Sequence, residues 1–255
     1  VQCVGEWAEN DKHGYLRAYI EATREARRKF SESGFVDLFA GPGRVCVRER
    51  GEIFDGSPLL ALAHDSAPFS RVVLCDLAQV NVDALRHRTA RYGDRVEILH
   101  GDSNSRVHEL VRLLPPGLNL VLVDPFGLAP LHFETLRILS QVEHLDLIVN
   151  FPTSDLRRNK DHYIDPTNEV VARALGVPGW RERLGPGDIA LETASQFVDS
   201  LAGLGYTGTQ NRMIPIMRAG SELYRLIFAS KHPLGDRIWT SVTRHTPSGQ
   251  LGFKY

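Results

Sequence analysis

The chain has 255 residues, a formal net charge of −1, 42% hydrophobic and 24% charged residues. This is an ordinary globular mix that can bury a sizeable core, and its near-neutral charge excludes a global basic field, so a polyanion could be met only by a local patch. The three cysteines, Cys3, Cys46 and Cys75, form no C-x-x-C and no even set, and the ten histidines show no ligand spacing; neither a disulfide framework nor a metal site is expected, and reduced thiols in a cytoplasm are.

In chain order, residues 9–30 place Leu16, Tyr19, Ile20, Thr23 and Ala26 at helical spacing with charge elsewhere, which predicts an amphipathic opening helix. Being polar by residue 9, this segment is not expected to be a signal peptide. Its Arg24, Arg27, Arg28 and Lys29 read as a solvated face. Five apolar runs, 35–39, 72–75, 96–99, 120–123 and 145–149, look like buried parallel strands. Helical patterns separate them at about 58–65, 79–92, 104–114 and 130–141. Strand alternating with helix predicts an α/β fold with a parallel sheet. Ser57-Pro58 marks the first helix start, with an N-cap hydroxyl and a proline at the first helical position.

Between strand and helix, Val45, Val47 and Ile53 flank Arg50-Gly51, which predicts a hairpin insertion at about 44–56. Residues 152–187 are polar, with glycine and proline, and are expected to carry short helices outside the sheet; 188–204 read as helical again. The tail holds two β-rich stretches, 206–218 and 222–231, joined at Ala219-Gly220, expected as an antiparallel pair closing the sheet edge. No apolar run approaches the roughly 18–20 residues of a membrane helix, and nothing demands a second domain, so residues 1–255 are read as one.

The turn after the first strand, "VDLFAGPGRV", exposes bare backbone at Gly41 and Gly43. Glycine permits the positive φ of such a turn and the close approach of a ligand at the carboxyl ends of parallel strands. The third glycine of a dinucleotide fingerprint is missing, and no Gly-Lys-Ser/Thr follows, which excludes a Walker loop. Each later strand also ends in a carboxylate: Asp76 after the second, Asp102 after the third, Asp124 after the fourth. Asp76 can accept from ribose hydroxyls and Asp102 from an adenine amino group. Alternatively, an aspartate at a strand end merely caps the next turn or helix, although three in register argue for a ligand. A dehydrogenase also places an acid at the second strand end, but the incomplete glycine pattern and the antiparallel edge count against it.

In "DLFAGPG" and the order of Asp76, Asp102 and Asp124, the sequence resembles class I S-adenosylmethionine-dependent methyltransferases. The resemblance implies a Rossmann-like, seven-stranded, mostly parallel sheet with an antiparallel last strand and helices on both faces. It implies S-adenosylmethionine as cofactor, held by Asp37, Phe39, Ala40, Gly41 and Gly43, by Asp76 and Leu77, by Gly101, Asp102 and Ser103, and by Asp124. Over nearly the whole chain, "VGEWAENDKHGYLRAYI", "VDLFAGPGR" with "DGSPLLAL", "LVDPFGL", and "NFPT" followed by "RRN" resemble the bacterial three-Cys-motif partner proteins. That family is named for a neighbouring cysteine-motif protein, which the resemblance implies as a partner. It also keeps open a cofactor-binding subunit with little catalysis of its own.

Methyl transfer to an exocyclic amine needs a hydrogen-bond acceptor for the N–H groups, so that the nitrogen lone pair faces the methyl. Asp124, the Pro125 carbonyl and a stacking Phe126 supply these parts. The set is similar to the Asp-Pro-Phe-Gly of some tRNA guanine methyltransferases and lacks the second proline common in amino-methylating enzymes. A nucleic-acid or nucleotide substrate is therefore expected, with Asp124, Pro125 and Phe126 as catalytic candidates; the competing reading makes Pro125-Phe126-Gly127 a rigid turn with Phe126 in the core. Asn150 and Phe151 end the fifth strand beside this set, and Arg157, Arg158 and Lys160 follow, either as phosphate contacts or as a solvated charge run.

Overall fold

The computed structural model describes residues 2–4, 12–47, 51–63, 66–206, 213–218 and 220–244. The chain runs through β1 (Gln2–Val4), α1 (His13–Ala22), α2 (Arg24–Arg27), β2 (Ser33–Asp37), β3 (Arg44–Val47), β4 (Ile53–Asp55), α3 (Ser57–Leu62), β5 (Arg71–Asp76), α4 (Gln79–Thr89), β6 (Val96–His100), α5 (Ser103–Leu113), β7 (Leu118–Val123), α6 (Phe133–Leu139) and β8 (Leu145–Phe151). There follow α7 (Thr153–Arg158), α8 (Lys160–Ile164), α9 (Val170–Leu175), α10 (Ile189–Gly203), β9 (Met213–Arg218), β10 (Ser221–Ala229) and α11 (Pro233–Arg244).

Seven strands form one sheet in the order β6-β5-β2-β7-β8-β10-β9. The first five are parallel; β10 inserts antiparallel between β8 and β9. This is the seven-stranded sheet with an antiparallel last strand expected from the sequence. Every residue of β2 and β8 is buried, which is why both read as continuous apolar runs. Strand alternation divides them between two cores. Val36, Val121 and Val149 pack under α5, α6, α9 and α10; Phe35, Leu120, Leu122 and Ile148 pack under α1, α3, α4 and α11.

The insertion over 44–56 is an antiparallel hairpin of β3 and β4, and β1 adds to it in parallel, forming a separate three-stranded sheet. Arg50 at its turn, residues 207–212 and Ala219 in the tail, and positions 9–11 and 64–65 of the two expected helices lie outside the described residues. The opening helix is interrupted at Thr23, whose hydroxyl donates to the Tyr19 and Ile20 carbonyls at 2.8 and 3.1 Å, a local bond that competes with the helical ladder. Arg27, expected on a solvated face, is 3% exposed and donates to the carbonyls of Ile20 and Ala67.

Helix α11 has no counterpart in the sequence reading. It presents Trp239 to the sheet, stacked on Phe228 with centroids 4.8 Å apart and planes at 11°, and Tyr19 meets both rings. The Tyr19 hydroxyl donates to Asp146 in the middle of this apolar layer at 2.7 Å, and burial raises the Asp146 carboxyl above its ordinary range. Tyr19→Phe removes that donor while keeping the ring. It is expected to lower the unfolding free energy by about 1–3 kcal/mol, read from urea titrations; an unchanged midpoint and slope would show that Asp146 does not need the phenol.

Candidate active site

A cavity of about 700 Å³ opens at the carboxyl ends of β2, β5, β6, β7 and β8, within the size range of small-molecule sites. The turn after β2 contributes Phe39, Ala40, Gly41 and Gly43 to its lining. Gly41 and Gly43 adopt φ of 59° and 77°, a conformation that glycine takes at little cost. A Cβ at Gly43 would stand 3.1 Å from Leu85, so the turn is closely packed on α4 as well as left-handed.

Asp37 does not line this cavity. It is fully buried beneath the turn, where Ser57 Oγ donates to one oxygen at 2.6 Å and the Phe39 N–H to the other at 3.1 Å. The expected N-cap role of Ser57 is thereby corrected: Gly56 is the N-cap, without a side-chain bond, and the Ser57 hydroxyl is used by Asp37. Burial outweighs these donors and pushes the Asp37 carboxyl up to about 7.

Asp76 accepts from the Gly41 N–H at 2.8 Å, the Ala78 N–H at 2.8 Å and Asn81 Nδ2 at 3.0 Å. An ionised carboxylate has about four lone-pair sites, so Asp76 keeps room for one further hydroxyl rather than for the pair expected from the sequence. Asp102 takes the capping role weighed against a ligand role. It accepts from the Asn104 N–H and side chain at 3.2 and 2.9 Å and from Ser105 Oγ at 3.1 Å, closing the first turn of α5, while still facing the cavity with Leu77, Gly101 and Ser103.

Asp124 ends β7 with its side chain 18% exposed. Asn150 Nδ2 donates to its Oδ1 at 2.7 Å, and Lys12 Nζ forms an ion pair with its Oδ2. Pro125 and Phe126 line the cavity beside it. Phe126 is 91% exposed, which overturns the reading that places it in the core. Gly127 turns the loop back: a Cβ there would lie 2.9 Å from Asp155 Oδ2, and the same oxygen accepts from the Leu128 N–H at 2.9 Å. Asp155, on α7, thus fixes the loop that carries Phe126.

Of the substrate candidates, Asn150 and Arg158 line the cavity. Phe151 does not: the next residue along a strand points to the opposite face, and Phe151 is fully buried against Phe197 with centroids 5.0 Å apart. Arg157 is held away from the cavity by Asp188 at 2.7 Å and Glu222 at 3.2 Å. Sequence reasoning missed Lys12, His13, Asn81, Arg218 and Tyr224, all in the lining. His13 is 4% exposed, and burial, followed by the neighbouring Lys12 charge, lowers it to about 3, so its ring is neutral. The one available signal for Lys12 was its place within the family-like opening stretch, since 112 residues separate it from Asp124. Among the described residues there is no cluster of metal-ligating side chains and no helix long and apolar enough to cross a membrane.

By sequence the chain matches no family model and no curated protein. Its fold is similar to the crystal structure of protein LPL1258 from Legionella pneumophila, with TM-score 0.54 and 11% identity over 95% of this chain and 96% of that one. Trm1 from Pyrococcus horikoshii, solved with S-adenosyl-L-methionine, gives TM-score 0.49 and 14% identity over 89% of this chain and 57% of that one. The Escherichia coli putative methyltransferase yhhF gives 0.38 and 15% over 78% and 76%. At 11% identity the likeness to LPL1258 is one of fold alone.

The buried Asp37 has a consequence for stability. With its carboxyl raised from the ordinary 3.8 to about 7, the folded chain keeps a proton that the unfolded chain releases. The associated stability is complete below about pH 4 and is lost as pH rises through about 7. Asp37→Asn should flatten this dependence, so the difference in unfolding free energy between variant and parent shifts in the variant's favour across that window. Urea unfolding at several pH values measures it; a constant difference would place the Asp37 carboxyl in its ordinary range.

Proposed function

We propose that this chain is an S-adenosylmethionine-dependent methyltransferase acting on an amino group of a nucleobase. The observation that carries the reading is Asp124 at the end of β7, flanked by Pro125 and the 91%-exposed Phe126, in one cavity with the glycine turn and the acids of the neighbouring strands. The cofactor fits the donor half: the turn at Gly41 and Gly43 lines the cavity without side chains of its own, and Asp76 has a lone pair left for a ribose hydroxyl. When bound, the cofactor supplies an electrophilic methyl group. Asp37 acts from below as a positioning residue, through Phe39 and Ser57.

The acceptor half is the work of this chain's own side chains. Asp124 accepts a hydrogen bond from the amine, which aims its lone pair, and is placed to take the proton that the nitrogen loses on methylation. Asn150 holds Oδ1 of that carboxylate and Lys12 holds Oδ2. With about four lone-pair sites and only these two donors in place among the described residues, the carboxylate has room for an incoming amine beside Lys12. Phe126 offers its face to the base. The sequence resemblance adds a cysteine-motif protein as partner, and a chain that binds the cofactor yet transfers nothing with that partner present would fit the binding-subunit role instead.

Transfer of labelled methyl into RNA, DNA and nucleotide pools, with and without the partner, tests the reading. Asp124→Ala should abolish transfer while S-adenosylhomocysteine affinity stays within a few fold by calorimetry, and Asp124→Asn should keep part of the rate because an amide oxygen still accepts from an amine. Full transfer by a folded Asp124→Ala protein would remove Asp124 from the chemistry. Because Phe126 is exposed, Phe126→Ala should leave the melting temperature unchanged and weaken the acceptor by about 1–3 kcal/mol. An unchanged acceptor affinity would exclude stacking.

A further inference from the structure

The cavity does not end at His13 and Arg44. Both residues also line an adjoining groove of about 520 Å³ between α1 and the β3–β4 hairpin, together with Arg17, Ile53, Phe54 and Asp55. The main cavity already has the volume of a complete small-molecule site. On the methyltransferase reading a cofactor and one base would share it, and a free nucleotide would leave the groove unused.

The groove is net positive in a chain whose charges nearly cancel. Net charge is −1 overall, yet Arg17 is exposed at the groove and makes no hydrogen bond or ion pair among the described residues. Among the described residues Arg44 pairs only with its own hairpin's Asp55, at 3.5 Å, with both side chains about half exposed; a solvated contact of this length yields readily to a better anion. Asp55 offsets one of the two guanidiniums, and His13, neutral, adds no charge. Arg158, on α7, lines the main cavity and likewise makes no hydrogen bond or ion pair among the described residues. Ile53, 57% exposed, and Phe54 give the groove apolar surface between its charges.

We infer that the acceptor is a single-stranded polynucleotide: its target base enters the cavity onto Phe126, and the adjoining nucleotide lies in the groove with its phosphate on Arg17 and Arg44. The identity of the target base's reaction rests on the methyltransferase reading; the polymer rests on the groove. Guanidinium groups suit phosphate by geometry as well as charge. A duplex is disfavoured because it keeps its bases stacked and out of reach of a recessed site.

The test uses fluorescence anisotropy with a short labelled single-stranded RNA, and DNA of the same sequence, on the whole chain saturated with S-adenosylhomocysteine. The oligonucleotide should bind with a salt-dependent affinity, and tighter binding of one sugar type identifies the polymer. Arg17→Glu should weaken it roughly tenfold and reduce the salt slope by about 0.7–1, with S-adenosylhomocysteine affinity and melting temperature as in the parent. Parental affinity and slope in Arg17→Glu would overturn the inference. So would displacement of the oligonucleotide by mononucleotides at equal concentration, or failure of the cofactor-loaded parent to bind either oligonucleotide. Calorimetry on the same sample separates the two proposals: no binding of S-adenosylhomocysteine refutes the methyltransferase reading, whereas Arg17-dependent oligonucleotide binding stands without it.

Discussion

A buried carboxylate at the end of a central strand must find its hydrogen-bond donors within the fold, and the exit from β2 is built around that need. Asp37 takes one donor from its own turn, Phe39 N–H, and one from the start of α3, Ser57 Oγ. The second bond ties together residues on either side of the inserted hairpin, so the hairpin projects from a fixed base. The first sets the direction in which the chain leaves the strand, after which Gly41 and Gly43 turn left-handed and the Gly41 N–H reaches Asp76 on the next strand. The geometry of the candidate cofactor site thus follows from satisfying two acids, one below the turn and one beside it.

The same cavity carries both signs of charge. Asp76 and Asp102 are each already engaged by donors of their own strand-end loops. Lys12, Arg44, Arg158 and Arg218 contribute cations to the lining, and Lys12 is paired with Asp124. A buried ion pair is costly to break by removing one partner, and Asp124 need not lose Lys12 to take an amine, because Asn150 and Lys12 occupy two of its roughly four lone-pair sites. An acceptor with an N–H or O–H to give can fill a remaining site, whereas one without such a group gains nothing from the carboxylate.

The sheet was legible in the sequence because parallel strands covered on both faces leave long apolar runs, and the acids that end them stand at the carboxyl edge. What those acids do was less legible. Asp102 and Asp76 had two readings each, and spacing cannot tell a cap from a ligand contact when the donors are two to five residues away or belong to another loop. Ser57 resembled an N-cap because a serine before a proline at a helix start is the local pattern, yet a buried acid across the sheet outbid the helix. Phe151 looked like part of the Asn150 site by adjacency, where strand period two sends neighbours to opposite faces. Helix α11 carries a legible signal that the sequence reading passed over, since Ile238, Trp239 and Val242 recur at helical spacing and pack on one core. Lys12 could not be placed by any local rule, because its partner is contributed by another element of the fold.

Strand period also explains why one helix serves both the core and the site. Phe35 and Asp37 on β2, Leu120, Leu122 and Asp124 on the β7 path, and Asp146, Ile148 and Asn150 on β8 each differ by an even count, so each set points to one face, the face whose core includes Leu16 and Tyr19 of α1. Helix α1 runs along that face and is tied at two heights: Tyr19 to Asp146 near the start of β8, and Lys12 to Asp124, which Asn150 holds near the end of β8. Seven helical residues rise roughly 10 Å and four strand residues roughly 13 Å, so the helix and strand spans are commensurate. Between the ties lie Leu16 and the ring of Tyr19, packed on Phe228 and Trp239. The lower tie lies beside the Phe228 and Trp239 rings, whereas the upper one ends at the cavity. One helix thus anchors the core at Tyr19 and sets a charged donor on Asp124 at Lys12.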